Sequence, residues 1–141
     1  MGAGRGGNFG NTKNKTFDFA NNLAKTMEKY VLNESGFFGE KVNDTVRHII
    51  SEHPLVTMWD FVKKITEGAT VIEMKNGKGW IANLPNGFRI TYREKSSSDG
   101  SPAVEIWTST KTRNASSTVE FKIGDNIVKI RYQKIHFILD D

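Results

Sequence analysis

Two arginines and a threonine alternate with apolar residues in the segment Gly87–Arg93, where Arg89, Thr91 and Arg93 interleave with Phe88, Ile90 and Tyr92. Side chains of a strand alternate with period two, so the three polar groups share one face. The run Ser96-Ser97-Ser98-Asp99-Gly100-Ser101 follows directly. Guanidinium groups beside hydroxyl donors can hold a phosphate, and Thr91, Ser97 and Ser98 are the groups to orient it. The same alternation in later segments adds Lys122, Lys129 and Arg131 to the polar side.

Proton transfer would fall to the histidines, of which there are three, His48, His53 and His136. Histidine titrates near neutral pH. Cleaving RNA without a metal needs a base for the 2′-hydroxyl proton, an acid for the leaving oxygen, and cations for the phosphorane. A histidine (His48 or His136), Arg89, Arg93 and one or two hydroxyls meet that need. The plainer reading stands beside it. Solvated faces of antiparallel sheets are routinely rich in Lys, Arg and Thr, Ser, Asp and Gly are ordinary turn residues, and Trp80 and Trp107 are core by default.

Other chemistries find little support. There is no cysteine, which removes disulfides, thiolate metal sites and cysteine nucleophiles together. No Walker loop, dinucleotide-binding glycine pattern or HExxH occurs, and His48 and His53 do not have the i, i+4 spacing of a helical zinc pair. Glu73, Glu94, Glu105 and Glu120 are scattered over different strands. The expectation is a site with no metal and no cofactor.

The elements that must position these groups read as helices followed by strands. Residues 1–15 carry five glycines and three asparagines and are expected to be a flexible linker within a longer polypeptide. A first helix is expected from Thr16 to about Leu32, with Phe19, Leu23, Met27 and Tyr30 on one face. A second is expected from about Gly39 to Glu52, carrying His48 on its polar side. A third follows Pro54, with Met58, Phe61, Val62 and Ile65 inward, and stops at Gly68. The period then changes to two, with strands at Ala69–Met74, Lys78–Leu84, Phe88–Glu94, Ala103–Thr110, Thr118–Ile123 and Ile127–Leu139. Asn76-Gly77 is a hairpin signal. In the last strand, a bulge between Tyr132 and Ile135 would turn Lys134 or His136 onto the polar face. The expected fold is α+β, N-terminal helices packed on one face of a four- to six-stranded antiparallel meander sheet. It makes one domain of residues 16–141.

The chain has 141 residues, a net charge of +4 and a pI near 9.3, which favours anionic partners. No apolar run approaches a membrane span, and MGAGRGGNFG has no apolar signal core.

The leader GRGGNFGNTKN (Gly4–Asn14), the short cysteine-free domain after it and the segment LPNGFRITYREKSSSDGSPAVEI (Leu84–Ile106) resemble the C-terminal toxin domains of bacterial polymorphic toxins. These include contact-dependent inhibition, WapA-like and LXG-type systems. The order of elements is similar to the barnase–EndoU–colicin–RelE grouping of ribonuclease toxins. The resemblance implies a secreted or surface-delivered nuclease acting on RNA, most often tRNA, in a competing cell. It also implies a cognate immunity protein, and a site drawn from His48, Arg89, Arg93, Thr91, Ser97, Ser98 and His136. The sequence has no paired-histidine-plus-lysine pattern of the EndoU kind. A non-enzymatic binding module, such as an immunity protein or an RNA-binding domain, is the alternative, and a DNase toxin is a further one.

Overall fold

The structure, a computed structural model, describes residues 18–109, 113–114 and 116–140. The expected linker at residues 1–15 lies outside the described residues. Two helices and a seven-stranded, mostly antiparallel mixed sheet form an α+β fold. Helix α1 (Phe19–Met27) begins where the Asp18 side chain accepts a bond from the Asn21 amide, the usual role of aspartate at an N-cap. It is shorter than its hydrophobic spacing suggests. Tyr30 lies past its end and packs edge-on to Phe61, with ring centroids 5.2 Å apart. Helix α2 (Pro54–Ile65) starts with its proline in the first turn and buries Met58, Phe61, Val62 and Ile65, the stripe read from the sequence.

The expected helix over Gly39–Glu52 does not form. That stretch makes β1 (Glu40–Lys41) and β2 (Val46–Ser51) around a turn. The Asn43 side chain accepts from the Thr45 and Val46 amides, a local bond that competes with helix. The run Val46-Arg-His-Ile-Ile50 then pairs in parallel with the last strand. β-Branched residues suit that position, so tertiary pairing overrides the helical spacing. Gly39 is fixed by the same approach: its φ is +65°, and a Cβ there would lie 2.4 Å from the His48 carbonyl oxygen.

The remaining strands are β3 (Thr70–Glu73), β4 (Trp80–Asn83), β5 (Arg89–Arg93), β6 (Ala103–Trp107), β7 (Thr118–Ile123), β8 (Asn126–Arg131) and β9 (Gln133–Leu139). The large sheet has the order β1-β2-β9-β6-β5-β4-β3, while β7 and β8 form a separate hairpin. The strand count therefore exceeds the four to six expected. The single strand expected over Ile127–Leu139 is split at Tyr132. Its first half stays in the hairpin and its second half enters the sheet between β2 and β6. A change of sheet, rather than a bulge within one strand, resolves the phase shift. Gln133 anchors the crossing. Its fully buried amide accepts from the Phe38 amide at 2.8 Å and donates to the Gly36 and Arg131 carbonyls at 2.9 Å.

The helices cover one face of the sheet. Ile90, Tyr92, Val104, Ile106, Ile135 and Phe137 are buried there, and Phe61 bridges Phe38 and Phe137 with edge-on contacts. Phe121 of the hairpin reaches the same core through Phe19 and Phe88. The opposite face carries the polar alternation.

Candidate functional site

Strand register assembles the polar face. Arg93, Ala103, His136, His48 and Glu40 stand opposite one another on successive strands β5, β6, β9, β2 and β1. The next row holds Thr91, Glu105, Lys134 and Val46. Lys134 and His136 are two residues apart, so both face this side. Ala103 is the low point, flanked by Arg93 and His136 in its own row and by Glu105 two residues along β6. Diagonal neighbours in such a ladder are about 7–8 Å apart, which sets the spacing of Glu105 from both His136 and Arg93. Over this floor lies a cleft of about 230 Å³ lined by Thr91, Arg93, Ser97, Glu105, Arg113 and Lys134, with Ala103 at its base.

His136 is 4% exposed. Its Nδ1 is 2.8 Å from Ser101 Oγ and 3.3 Å from Asp99 Oδ1. Asp99 Oδ1 also accepts from Ser96 Oγ, Ser101 Oγ and the Ser101 amide. Burial alone would raise the Asp99 carboxyl, but these bonds and His136 outweigh it and hold the group well below the usual carboxylate range. Asp99 is therefore an acceptor only, and the single hydroxyl proton of Ser101 goes to it. Ser101 Oγ must then accept from His136, which places the proton of the neutral imidazole on Nδ1. Nε2 has no partner among the described residues, so its lone pair is left unengaged by them. Burial lowers the His136 pKa, opposed by Asp99 and reinforced by Lys134 and His48. The Ser-rich loop thus orients a histidine from behind.

Glu105 is held from one side as well. Tyr132 donates its hydroxyl to Oε2, and Arg113 Nε lies 3.2 Å from the same oxygen. Burial raises the Tyr132 pKa, and the Glu105 bond raises it further, so Tyr132 is a proton-bearing donor. Among the described residues Oε1 has no partner. Arg113 also lies over the Trp107 ring, 4.5 Å from its centroid.

The sequence-derived candidates divide accordingly. Arg93, Thr91 and Ser97 line the cleft, and His136 is buried next to it, paired with Ala103 in the ladder. His48 is on strand β2 rather than a helix, its ring centroid 6.2 Å from that of His136. It opens into a different cleft of about 520 Å³ at the sheet edge, with Glu40 and Ser51. Arg89 stands one row beyond Thr91, opposite Trp107, and donates to Asn83 Oδ1 at 3.1 Å. Ser98 is exposed in its loop. Lys122, Lys129 and Arg131 belong to the β7–β8 hairpin and not to this face, because the chain changes sheet at Tyr132. Arg131 Nε donates to the Ser35 carbonyl at 2.6 Å.

Sequence reasoning named Glu105 only among the scattered glutamates, gave Arg113 and Tyr132 no place in the site, and gave Asp99 and Ser101 no orienting role. Glu105 carried one usable signal. It is the polar residue between Val104 and Ile106 in a strand flanking the arginine strand. Nothing local marked Tyr132 or Arg113. Among the described residues no group of three or more His, Asp or Glu is arranged to hold a metal ion, and no helix is long and apolar enough to cross a membrane. No family model, curated protein or solved structure matches this chain.

Proposed function

We propose that the domain is a metal-independent endoribonuclease that cleaves by acid–base transesterification at the Ala103 cleft. The observation that carries this reading is the grouping around that small residue: His136 and Glu105 hold diagonal ladder positions, whose backbones lie about 7–8 Å apart, with Arg93 and Lys134 on the adjoining positions. The two cations hold the scissile phosphate and take up the charge of the phosphorane. Glu105 Oε1 accepts the 2′-hydroxyl proton while the 2′-oxygen attacks phosphorus. The bond from phosphorus to O5′ breaks, and protonated His136 gives its Nε2 proton to the leaving oxygen. The products are a 2′,3′-cyclic phosphate and a 5′-hydroxyl.

The roles follow from elimination. Glu105, its Oε2 held by Tyr132 and Arg113 and its Oε1 without a partner among the described residues, acts as the base. Arg93 and Lys134 are taken up by the phosphate. His136 is neutral when free and gains a proton as the phosphate anion arrives, because an adjacent negative charge favours imidazolium. Thr91 and Ser97 orient the phosphate. We extend the proposal, on the resemblance of Gly4–Asn14 and Leu84–Ile106, to a toxin directed at tRNA of competing bacteria. In that setting it is delivered within a larger secreted effector and blocked by an immunity protein.

Incubation of the purified protein with total RNA, tRNA and DNA in EDTA tests the chemistry. The expected result is RNA fragments ending in 2′,3′-cyclic phosphate, intact DNA, and loss of cleavage in Glu105→Gln and His136→Ala. Intact RNA, or variants that cut like the parent, would overturn it.

A further inference from the structure

The Ala103 cleft, at about 230 Å³, has room for a phosphate and its sugar but not for the nucleotides on either side. Two larger clefts adjoin it. Arg93, Ser96 and Ser97 line both it and a cleft of about 640 Å³ that carries Lys78, Lys95 and Trp80, with Glu94 against them. Arg113 lines both it and a cleft of about 660 Å³ on the other side. That third cleft draws on Lys41, Arg47, Arg113 and Arg131, with Asp44 as its only acidic residue among the described residues. In it, Arg47 lies 4.8 Å and Arg131 6.0 Å from the centre of the half-exposed Phe37 ring.

We propose that these three clefts form one continuous track for a single strand of RNA, several nucleotides long, with Arg93 and Arg113 as the joints between subsites. This rests on the reading of the Ala103 cleft as the cleavage site. Basic grooves that follow a backbone, interleaved with aromatic rings, are the physical pattern of single-strand binding. Each end sets cations beside an aromatic ring: Lys78 and Lys95 beside the edge of Trp80, which stacks on Tyr92, and Lys41 and Arg131 beside Phe37. The arginines are already anchored. Arg47 donates to the Phe38 and Gly39 carbonyls, and Arg131 to that of Ser35. Preorganised cations lose little freedom when the strand arrives. A duplex does not match this shape, because its stiff paired strands cannot turn through three adjoining clefts, whereas an unpaired strand can. The substrate is therefore an unpaired stretch, a loop or an end, and dinucleotides are poor substrates.

Fluorescence anisotropy on the His136→Ala protein, with labelled single-stranded RNA of 4 and 12 nucleotides, separates this proposal from the cleavage chemistry. The 12-mer is expected to bind at least about tenfold tighter, with a steep salt dependence. Lys41→Glu and Lys95→Glu, singly and together, should bring the ratio of the two affinities toward one. The pair should also reduce the salt slope by about 1.4, at roughly 0.7 per lost phosphate contact. The Lys41 side chain is 67% exposed and Lys95 is exposed, so neither change threatens the fold, and circular dichroism verifies that. Equal affinity for both lengths, or an unchanged ratio in the double variant, would overturn the track. Length-dependent binding by a parent protein that leaves RNA uncut would instead sink the cleavage reading and keep the track.

Discussion

Two tyrosine–carboxylate–cation clusters in this molecule have the same parts and different fates. On α2, Asp60 Oδ2 accepts from Tyr30 at 2.6 Å and pairs with Lys29 at 3.1 Å, while Oδ1 accepts from Lys64 at 2.6 Å. On the polar sheet face, Glu105 Oε2 takes both Tyr132 and Arg113. Asp60 has both oxygens engaged. Burial would raise its pKa, yet the bonds from Lys64, Tyr30 and Lys29 prevail and keep it well below the usual range. Glu105 keeps an oxygen without a partner among the described residues and stands over a cleft. A saturated carboxylate stabilises, whereas one held from a single side can accept a proton. The residues around them, more than their own types, separate a structural cluster from a candidate reactive one.

Breaking the comparison at its reactive end should give the largest effect. Glu105→Gln and His136→Ala are each expected to lower the rate of RNA cleavage by roughly 10²–10⁴-fold, the usual worth of a proton-transfer group, read from single-turnover cleavage of a labelled oligonucleotide. Ala103→Leu keeps every polar group and fills the floor, so a loss of about 10²-fold is expected from displaced substrate. A leucine variant as active as the parent would remove the cleft from the reaction.

At the structural end, Asp60→Asn should leave cleavage within about twofold and cost roughly 1.5–3 kcal/mol of stability, the range for a hydrogen bond to a charged group. Chemical denaturation measures it. The sign of the pH effect follows from the depressed pKa. Asp60 stabilises fully above its unfolded value of about 3.9 and loses that contribution as pH falls through the lower folded value. The gap between parent and Asp60→Asn should therefore be constant from pH 8 to 5 and close below about pH 4. A gap that persists in acid would mean that packing, not charge, holds this cluster.

The smallest effect sharpens the contrast through pH. In the proposed reaction His136 acts protonated, and its pKa lies below the ordinary 6.5. Plots of kcat/KM should then fall as pH rises through that depressed value. Asp99 favours the imidazolium, so Asp99→Asn should move this limb to lower pH. A limb that does not move would leave Asp99 a loop residue only.

Much of the frame was legible in the chain. Pro54 and the Met58–Ile65 stripe locate α2, the alternation of Arg89–Arg93 puts its two arginines on one face, and turn residues separate the strands. The error over Gly39–Glu52 had a physical cause. Val42, Val46, Ile49 and Ile50 fit a helical period, and a short apolar run between turns is ambiguous by spacing alone. The lysines of the hairpin were misplaced for a related reason. Alternation reports which face of its own sheet a residue takes, and it is silent about which sheet that is.

From the sequence alone came the residue types and their local faces: a basic strand, a hydroxyl loop and a histidine in an apolar run. Those depend on neighbours a few positions away. The tertiary structure alone decided that Glu105, Lys134, Arg93 and His136 surround Ala103. Their grouping depends on β9 leaving the hairpin at Tyr132 and entering the sheet between β2 and β6. That step is set by packing between segments far apart in the chain, through contacts such as Gln133 with Gly36 and Phe38, and no local pattern encodes it.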